Sequence, residues 1–433
     1  MVDLAPLMRR RIGLPSAVAL VVANMVGAGV FTTSGFSLAE LGRPEPVLLA
    51  WLVGGVLAMC GALSYGAFAR YMPESGGEYM FLARTVHPLA GFLAGWVSLL
   101  AGFSAPIAAA ALGLQAYVDA AVEIGGRPEW IGTGAILVAG LLHGFRLRAG
   151  VAVQNLAVLA KMIAIGAFIV VGAVVIPTRG EVPVGSIGAV DVSAFAVTLV
   201  WIAFSYSGWN AAVYVAGEVR DPERNLARAL VVATGIVTAA YLLLNAVFLY
   251  AVPTAALAGR PEVGAITAEA LGGMWLRNAV CLLVALALFT SISSMVMIGP
   301  RVYARMAEDG VFPAFFRRGG DVPTAAIALQ VALAVVLVWV SRLAELLGYM
   351  GFTLGLSAAA TVAALLAVRR REGAARVPVP GHPWVPLLFI VFTVGAAGFM
   401  ALRRPFEAGV GLATMATGIP AYFLLRAVSG SRG

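Results

Sequence analysis

Val21–Gly35 reads VVANMVGAGVFTTSG, an apolar run interrupted at its middle by Gly27, Ala28 and Gly29. Two glycines inside a membrane-crossing stretch release the backbone from helical pairing and leave amides and carbonyls without partners of their own. Hydrocarbon cannot satisfy such groups, so a break of this kind survives only where it is buried in protein or lines a cavity. The run 197–216 carries a second interruption, FSYSGWN at 204–210, with glycine, small hydroxyl residues and aromatics again at mid-span. Two glycine-interrupted hydrophobic segments mark the binding site of a transporter built from inverted repeats.

The rest of the chain is that of a polytopic membrane protein. Of its 433 residues 61% are hydrophobic and 12% charged, and the mean hydropathy is +0.94, which leaves too little polar surface to cover a soluble globule. About 20 apolar residues cross a hydrocarbon core, and twelve spans are predicted, at 13–38, 46–70, 88–118, 130–145, 152–176, 193–216, 227–252, 274–298, 323–341, 346–368, 384–402 and 407–427. The breaks fall in the first and the sixth. Five is odd, so these two helices enter from opposite sides, as in a five-plus-five inverted repeat. Residues 1–176 form the first repeat, 177–368 the second, and 369–433 two appended helices.

Basic residues collect on the cytoplasmic side. With the amino terminus inside, 20 arginines fall in inside segments, from Arg9–Arg11 through Arg146 and Arg148 to Arg369–Arg371, and eight fall outside. Both termini are expected in the cytoplasm, in a multi-pass protein of the cell membrane. The net charge of +8 is then a topology signal with no nucleic-acid reading. The first span is too long for a cleaved signal. Cys60 and Cys281 fall inside predicted spans, where cysteine behaves as a small apolar residue, so no structural disulfide is expected.

Between the second and third spans, YMPESGGEYMFLARTVHP at 71–88 is expected to form an interfacial helix. Here the chain begins to resemble a known family. PESGGEY at 73–79, GEVRDPERNLARAL at 217–230, RVYARMAEDGVFP at 301–313 and VPVPGHPWVP at 377–386, with the GAG break, are similar in order to signature segments of the amino acid-polyamine-organocation superfamily. SGWN in the sixth span looks most like the L-amino-acid exchanger branch and its prokaryotic relatives. The resemblance implies a LeuT-type, all-α fold with twelve helices and alternating access. In animal relatives a cysteine in the loop after the third span ties the transporter to a single-span partner. The loop 119–130 holds Asp119, Glu123 and Glu129 but no cysteine, so no disulfide-linked partner is implied.

An amino acid presents a carboxylate and an ammonium. Freed amides at the positive start of a half-helix suit the carboxylate, which places it on Gly27, Ala28 and Gly29. The opened carbonyls suit the ammonium, and the resemblance puts these at Met25, Phe204 and Ser207, with Ser205 and Gly208 in the same stretch. The family's usual first motif is Gly-Ser-Gly, so Ala28 removes a hydroxyl contact but no backbone amide. The bland alternative is that these glycines only let helices pack. The resemblance makes Phe204 a lid over the substrate, with Trp209 beside it at the gate; either could instead be an ordinary core aromatic. GFSAPIAAAALG at 102–113 is read as a helix-packing stripe.

Lys161 is the one lysine among 28 arginines and lies in the middle of the apolar fifth span. Ionisable residues at such depth are functional by default, and a lysine, unlike an arginine, can give up its proton there. In sodium-coupled proteins of this fold a sodium ion sits between the first and eighth spans; in sodium-independent amino acid transporters a fifth-span lysine takes its place. Lys161 matches that lysine, with carbonyls near Gly27, Ser291 and Ser294 as expected partners. The alternative is a lysine snorkelling to the surface.

All 21 acidic residues, Glu78 and Glu218 included, fall in loops or near predicted span ends, so no carboxylate is expected to be buried mid-membrane and a neutral substrate is favoured. His87, His143 and His382 show no metal spacing, and no nucleophile, base and acid cluster appears; an enzyme, a metal site and a cofactor are not expected. The favoured function is sodium-independent uptake or exchange of small to medium neutral L-amino acids across the lipid bilayer. The alternatives are a proton-coupled permease for cationic amino acids or polyamines, and a membrane amino acid sensor. A sensor of this fold would carry a long soluble tail, whereas about six residues follow the last predicted span.

Overall fold

The computed structural model describes residues 12–122, 127, 129–144, 151–179, 189–317 and 323–430. Arg9–Arg11, Arg146, Arg148 and Glu123 lie outside them. Helices α1 (Leu14–Met25) and α2 (Ala28–Leu41) are the halves of the first broken helix, followed by α3 (Pro44–Tyr71) and the short α4 (Gly77–Thr85). Helix α5 (Pro88–Val97) runs through π-helical turns at Ser98–Ser104 into α6 (Ala105–Val122), and α7 (Glu129–Gly144) and α8 (Val151–Val175) follow. Helix α9 (Val192–Ser205) opens into an irregular stretch and resumes as 3₁₀ turns at Ala211–Glu218. The remainder comprises α10 (Pro222–Ala251), α11 (Thr254–Leu257), α12 (Val263–Glu308), α13 (Thr324–Val340), α14 (Leu343–Glu372), α15 (Trp384–Arg403) and α16 (Pro405–Gly430).

Among the described residues nine helical segments are long and apolar enough to cross a membrane, and Val192–Ser205 and Thr324–Val340 are shorter apolar helices. The predicted sixth and ninth spans correspond to these shorter helices, the sixth because its break ends α9 after 14 residues. The predicted fourth corresponds to α7, with 16 residues. Exposed apolar side chains, among them Leu159, Ile163 and Val170 on α8 and Leu282 and Leu286 on α12, form an apolar surface of the kind a bilayer covers.

The broken helices run antiparallel. At one end Ile12, just before α1, pairs with Val219, just after the 3₁₀ turns, through Ile12 N to Glu218 O at 3.1 Å and Arg220 N to Ile12 O at 2.9 Å. At the other end Arg403 lies 3.9 Å from Glu40 near the end of α2 and 3.4 Å from Asp191 before α9. Between these ends the breaks touch. A Cβ added to Gly29 would lie 2.5 Å from Ser205 Cα, and one added to Gly208 would lie 2.7 Å from the Asn24 carbonyl. Gly208 also holds φ at +94°, a region that L side chains rarely adopt.

Buried aromatics brace the first break. Tyr241 of α10 donates to Met25 O at 2.6 Å, Tyr206 donates to Trp51 O at 3.0 Å, and Trp51 Nε1 donates to Ser34 Oγ at 3.0 Å. Ser34 in turn bonds Asn245. Each polar tip is satisfied inside the protein, as an apolar setting demands.

Helix α4 corrects the expectation of an interfacial helix. Gly77–Leu82 are all buried. Gly76 and Gly77 both hold positive φ, at 129° and 58°, and turn the chain back into the protein. A side chain on Gly77 would collide with the Tyr214 ring. The apolar character at 77–82 therefore serves packing against protein.

Candidate functional site

One cavity gathers both breaks. Its wall includes Met25, Gly27, Ala28 and Gly29 from the first, and Phe204, Ser205, Ser207, Gly208, Trp209 and Asn210 from the second. Gly27 stands at the cap position just before α2 and has no side chain to cap it, so among the described residues the first amides of α2, at the positive end of the helix dipole, have no capping side chain. The sequence-predicted binding residues are thus brought to one place.

The carbonyls before the break are partly taken. Met25 O accepts from Tyr241 Oη and from Gly27 N, at 2.6 and 2.9 Å. The oxygen that the resemblance offers to an ammonium therefore already holds two protein donors. Phe204 O is engaged by Ser207 N at 2.7 Å. Ser205 Oγ bonds Thr33 Oγ1 at 2.8 Å and donates to Trp201 O at 3.2 Å.

Phe204 and Trp209 are both buried. The Trp209 ring packs edge-on to Tyr65 at 4.7 Å and to Phe389 at 6.1 Å. It closes against Gly61, where a Cβ would lie 2.7 Å from the indole.

Lys161 turns inward. It is buried while Leu159 and Ile163 on the same helix are exposed, and Nζ donates to Val26 O at 2.7 Å. Ser291 Oγ of α12 approaches the same oxygen at 3.3 Å. Lysine, serine and the first break therefore meet at one carbonyl. Ser294 does not join them: its hydroxyl is buried without a hydrogen-bond partner among the described residues.

Several residues on the cavity wall were not legible as such. Gly102, Phe103, Pro106 and Ala110 line it, so the stripe read as helix packing also forms the wall. The helix is π-helical just before Pro106, and Ser104 Oγ donates to Leu99 O at 2.6 Å. Proline supplies no amide to the preceding turn, and that was the available signal.

Glu78 is a further such residue. The sequence pattern puts it near a span end and outside any buried site, yet it is buried and reaches the cavity wall. Its Oε1 accepts from Tyr65 Oη at 2.7 Å and from Asn210 Nδ2 at 3.2 Å, and its Oε2 accepts from Ser357 Oγ at 2.8 Å. Burial pushes its carboxyl above the ordinary carboxylate range, opposed by these three hydrogen bonds. Glu78 thus lies between two spans, where the sequence pattern puts it, and is nonetheless buried at the cavity wall.

A cavity onto which two broken helices open, one with an uncapped helix start, offers room and backbone donors to a small molecule with a carboxylate. The family model for amino acid permeases matches residues 12–419. The chain belongs to the amino acid permease family. This permease is 28% identical to the serine/threonine exchanger SteT of Bacillus subtilis, with 96% of this chain and 97% of that protein covered. It is 27% identical to the rat large neutral amino acids transporter small subunit 2 and 26% identical to the mouse Asc-type amino acid transporter 1, each covering 96% of this chain and 81% of the relative. The permease is an amino acid transporter in a membrane, and its family and relatives are not enzymes.

Proposed function

We propose that this permease exchanges or takes up small to medium neutral L-amino acids without sodium. The uncapped start of α2 facing the opened end of α9 across one cavity carries the reading. The substrate carboxylate sits at the start of α2 on the amides of Ala28 and Gly29, beside Gly27, whose own amide is held by Met25 O at 2.9 Å; the ammonium faces the opened stretch at Phe204, Ser205, Ser207 and Gly208. Phe204 closes over the substrate, with Trp209 beside it. Lys161 and Ser291, held on Val26 O, occupy the place a sodium ion would take. Relatives named as exchangers or transporters of neutral amino acids support the substrate class.

The architecture that goes with this reading has twelve spans: residues 1–176 and 177–368 as inverted repeats of LeuT type, 369–433 as appended helices, and both termini in the cytoplasm. Antiparallel breaks in contact support it. In this orientation Glu78 stands on the inner side of the cavity. No disulfide-linked partner subunit is needed.

Uptake of radiolabelled serine, alanine and leucine into proteoliposomes tests the reading, with and without internal amino acid and with and without a sodium gradient. Stimulation by unlabelled internal substrate, indifferent to sodium, is the expected result. Sodium-driven uptake by the wild type would sink it. A proton-coupled permease for cationic amino acids is the second reading, because Glu78 puts a buried carboxylate at the cavity. Competition by arginine but not by alanine selects it.

A further inference from the structure

We propose that Glu78 is a proton-binding latch on the inner side of the cavity, tying the opened stretch of the second broken helix to α14. This rests on the transport reading and adds a regulating proton to it.

Geometry separates this role from that of a substrate counter-charge. Three neutral donors from three elements converge on one carboxylate: Tyr65 of α3, Asn210 of the opened stretch and Ser357 of α14. Oε1 is filled by two of them, so a substrate cation would have to displace protein donors to bind it. The titratable groups facing Glu78 are the phenols of Tyr65 and Tyr214. Among the described residues no arginine, lysine or histidine forms an ion pair with it. An ionised carboxylate buried with neutral donors only is held in place by those hydrogen bonds.

A proton can be accommodated without rebuilding the site. It arrives from water in the cavity and forms an O–H bond on Oε2. The hydroxyl of Ser357 then turns its own hydrogen away, and its oxygen accepts from the new O–H. No other bond is made or broken, and the site gains one positive charge. The carboxylate no longer gathers three donors, so its hold on Asn210 and α14 weakens. Asn210 follows Gly208 and Trp209 in the opened stretch, so loosening it frees the inner side of the break. The ionised form is the locked one, and acid releases it.

The experiment is exchange of radiolabelled serine in proteoliposomes holding unlabelled serine, with the same pH on both sides, from about pH 5.5 to about pH 8. It compares wild type, Glu78→Gln and Ser357→Ala. Wild-type exchange is expected to fall about fivefold as pH rises across this range, tracking loss of one proton. Glu78→Gln, neutral at every pH, should exchange at the fast acid rate throughout. Ser357→Ala keeps the carboxyl but removes one hydrogen bond to its charged form, which raises its pKa and moves the fall to higher pH.

Several outcomes overturn the latch. They are a flat wild-type profile, a Glu78→Gln profile that follows a sloping wild type, or a Ser357→Ala profile superimposed on it. If Glu78→Gln does not fold, the Ser357→Ala shift alone decides. A selective loss of arginine competition in Glu78→Gln, with its pH slope intact, makes Glu78 a counter-charge and also overturns the latch. Absence of amino acid flux in the wild type at every pH defeats the transport reading instead, and so is distinguishable.

Discussion

Gly29 and Ser205 meet where the two broken helices touch, with room for a hydrogen on Gly29 and for nothing larger: a Cβ there would lie 2.5 Å from both Cα and Oγ of Ser205. Backbone cannot yield as a flexible side-chain tip can, so Gly29→Ala forces the helices apart. Overpacking of this kind costs about 1–3 kcal/mol. A lower melting temperature in detergent and a loss of serine uptake are expected.

Gly27→Ala is the contrasting substitution. The new methyl would stand 3.7 Å from Ser291 Oγ, an ordinary contact, so the protein should melt within a few degrees of wild type. Its effect should appear in substrate affinity alone, measured by scintillation proximity binding. Unfolding of Gly27→Ala but not of Gly29→Ala would reverse the assignment of the closest approach.

Lys161→Met removes the cation from Val26 O while keeping much of the side chain's bulk. A charge-assisted hydrogen bond contributes about 1.5–3 kcal/mol. If it holds the break in its binding form, serine affinity should drop by roughly 10- to 100-fold. Tyr241→Phe removes a neutral donor from Met25 O and should cost about 1 kcal/mol, read as a smaller drop in the same assay. Equal affinity in all three proteins would show that these carbonyl contacts do not shape the site.

Glu78 also makes a prediction about stability. Its carboxyl is pushed up by burial, so the folded state binds the proton more tightly than the unfolded state does. The stabilisation from that proton is fully present below the unfolded carboxylate's pKa and is lost as pH rises through the raised folded value. The melting temperature of the wild type should therefore fall over that window by more than that of Glu78→Gln. Parallel melting curves for the two proteins would remove Glu78 from the acid-side stability.

Both breaks were legible in the sequence, because glycines at mid-span in an apolar run open a backbone that lipid cannot satisfy. Lys161 was legible too, since a lone cation deep in such a run must find an oxygen. The burial of Glu78 was illegible for a physical reason. Hydropathy puts a polar segment in a loop, and nothing in PESGGEY tells whether Gly76 and Gly77 turn the chain outward to the headgroups or back into the protein. The contact with Tyr214 decides that, and it joins residues far apart in the chain. The partner of the Met25 carbonyl was illegible for a similar reason, because the hydroxyl that donates to it comes from Tyr241 on α10. Pro106 was legible as a helix defect, but π-helical turns at Ser98–Ser104 also depend on Ser104 bonding back to Leu99.

With 28 arginines and a single lysine, the side-chain amine of Lys161 has no competitor in the chain. Amine-selective reagents act on an uncharged amine and ignore guanidinium groups, so apart from the chain's terminal amine they can modify this molecule at one place. That place is sealed around Val26 O. The extent of labelling, counted by mass spectrometry, therefore becomes a clock for how often the core of the permease admits water, with no engineered probe.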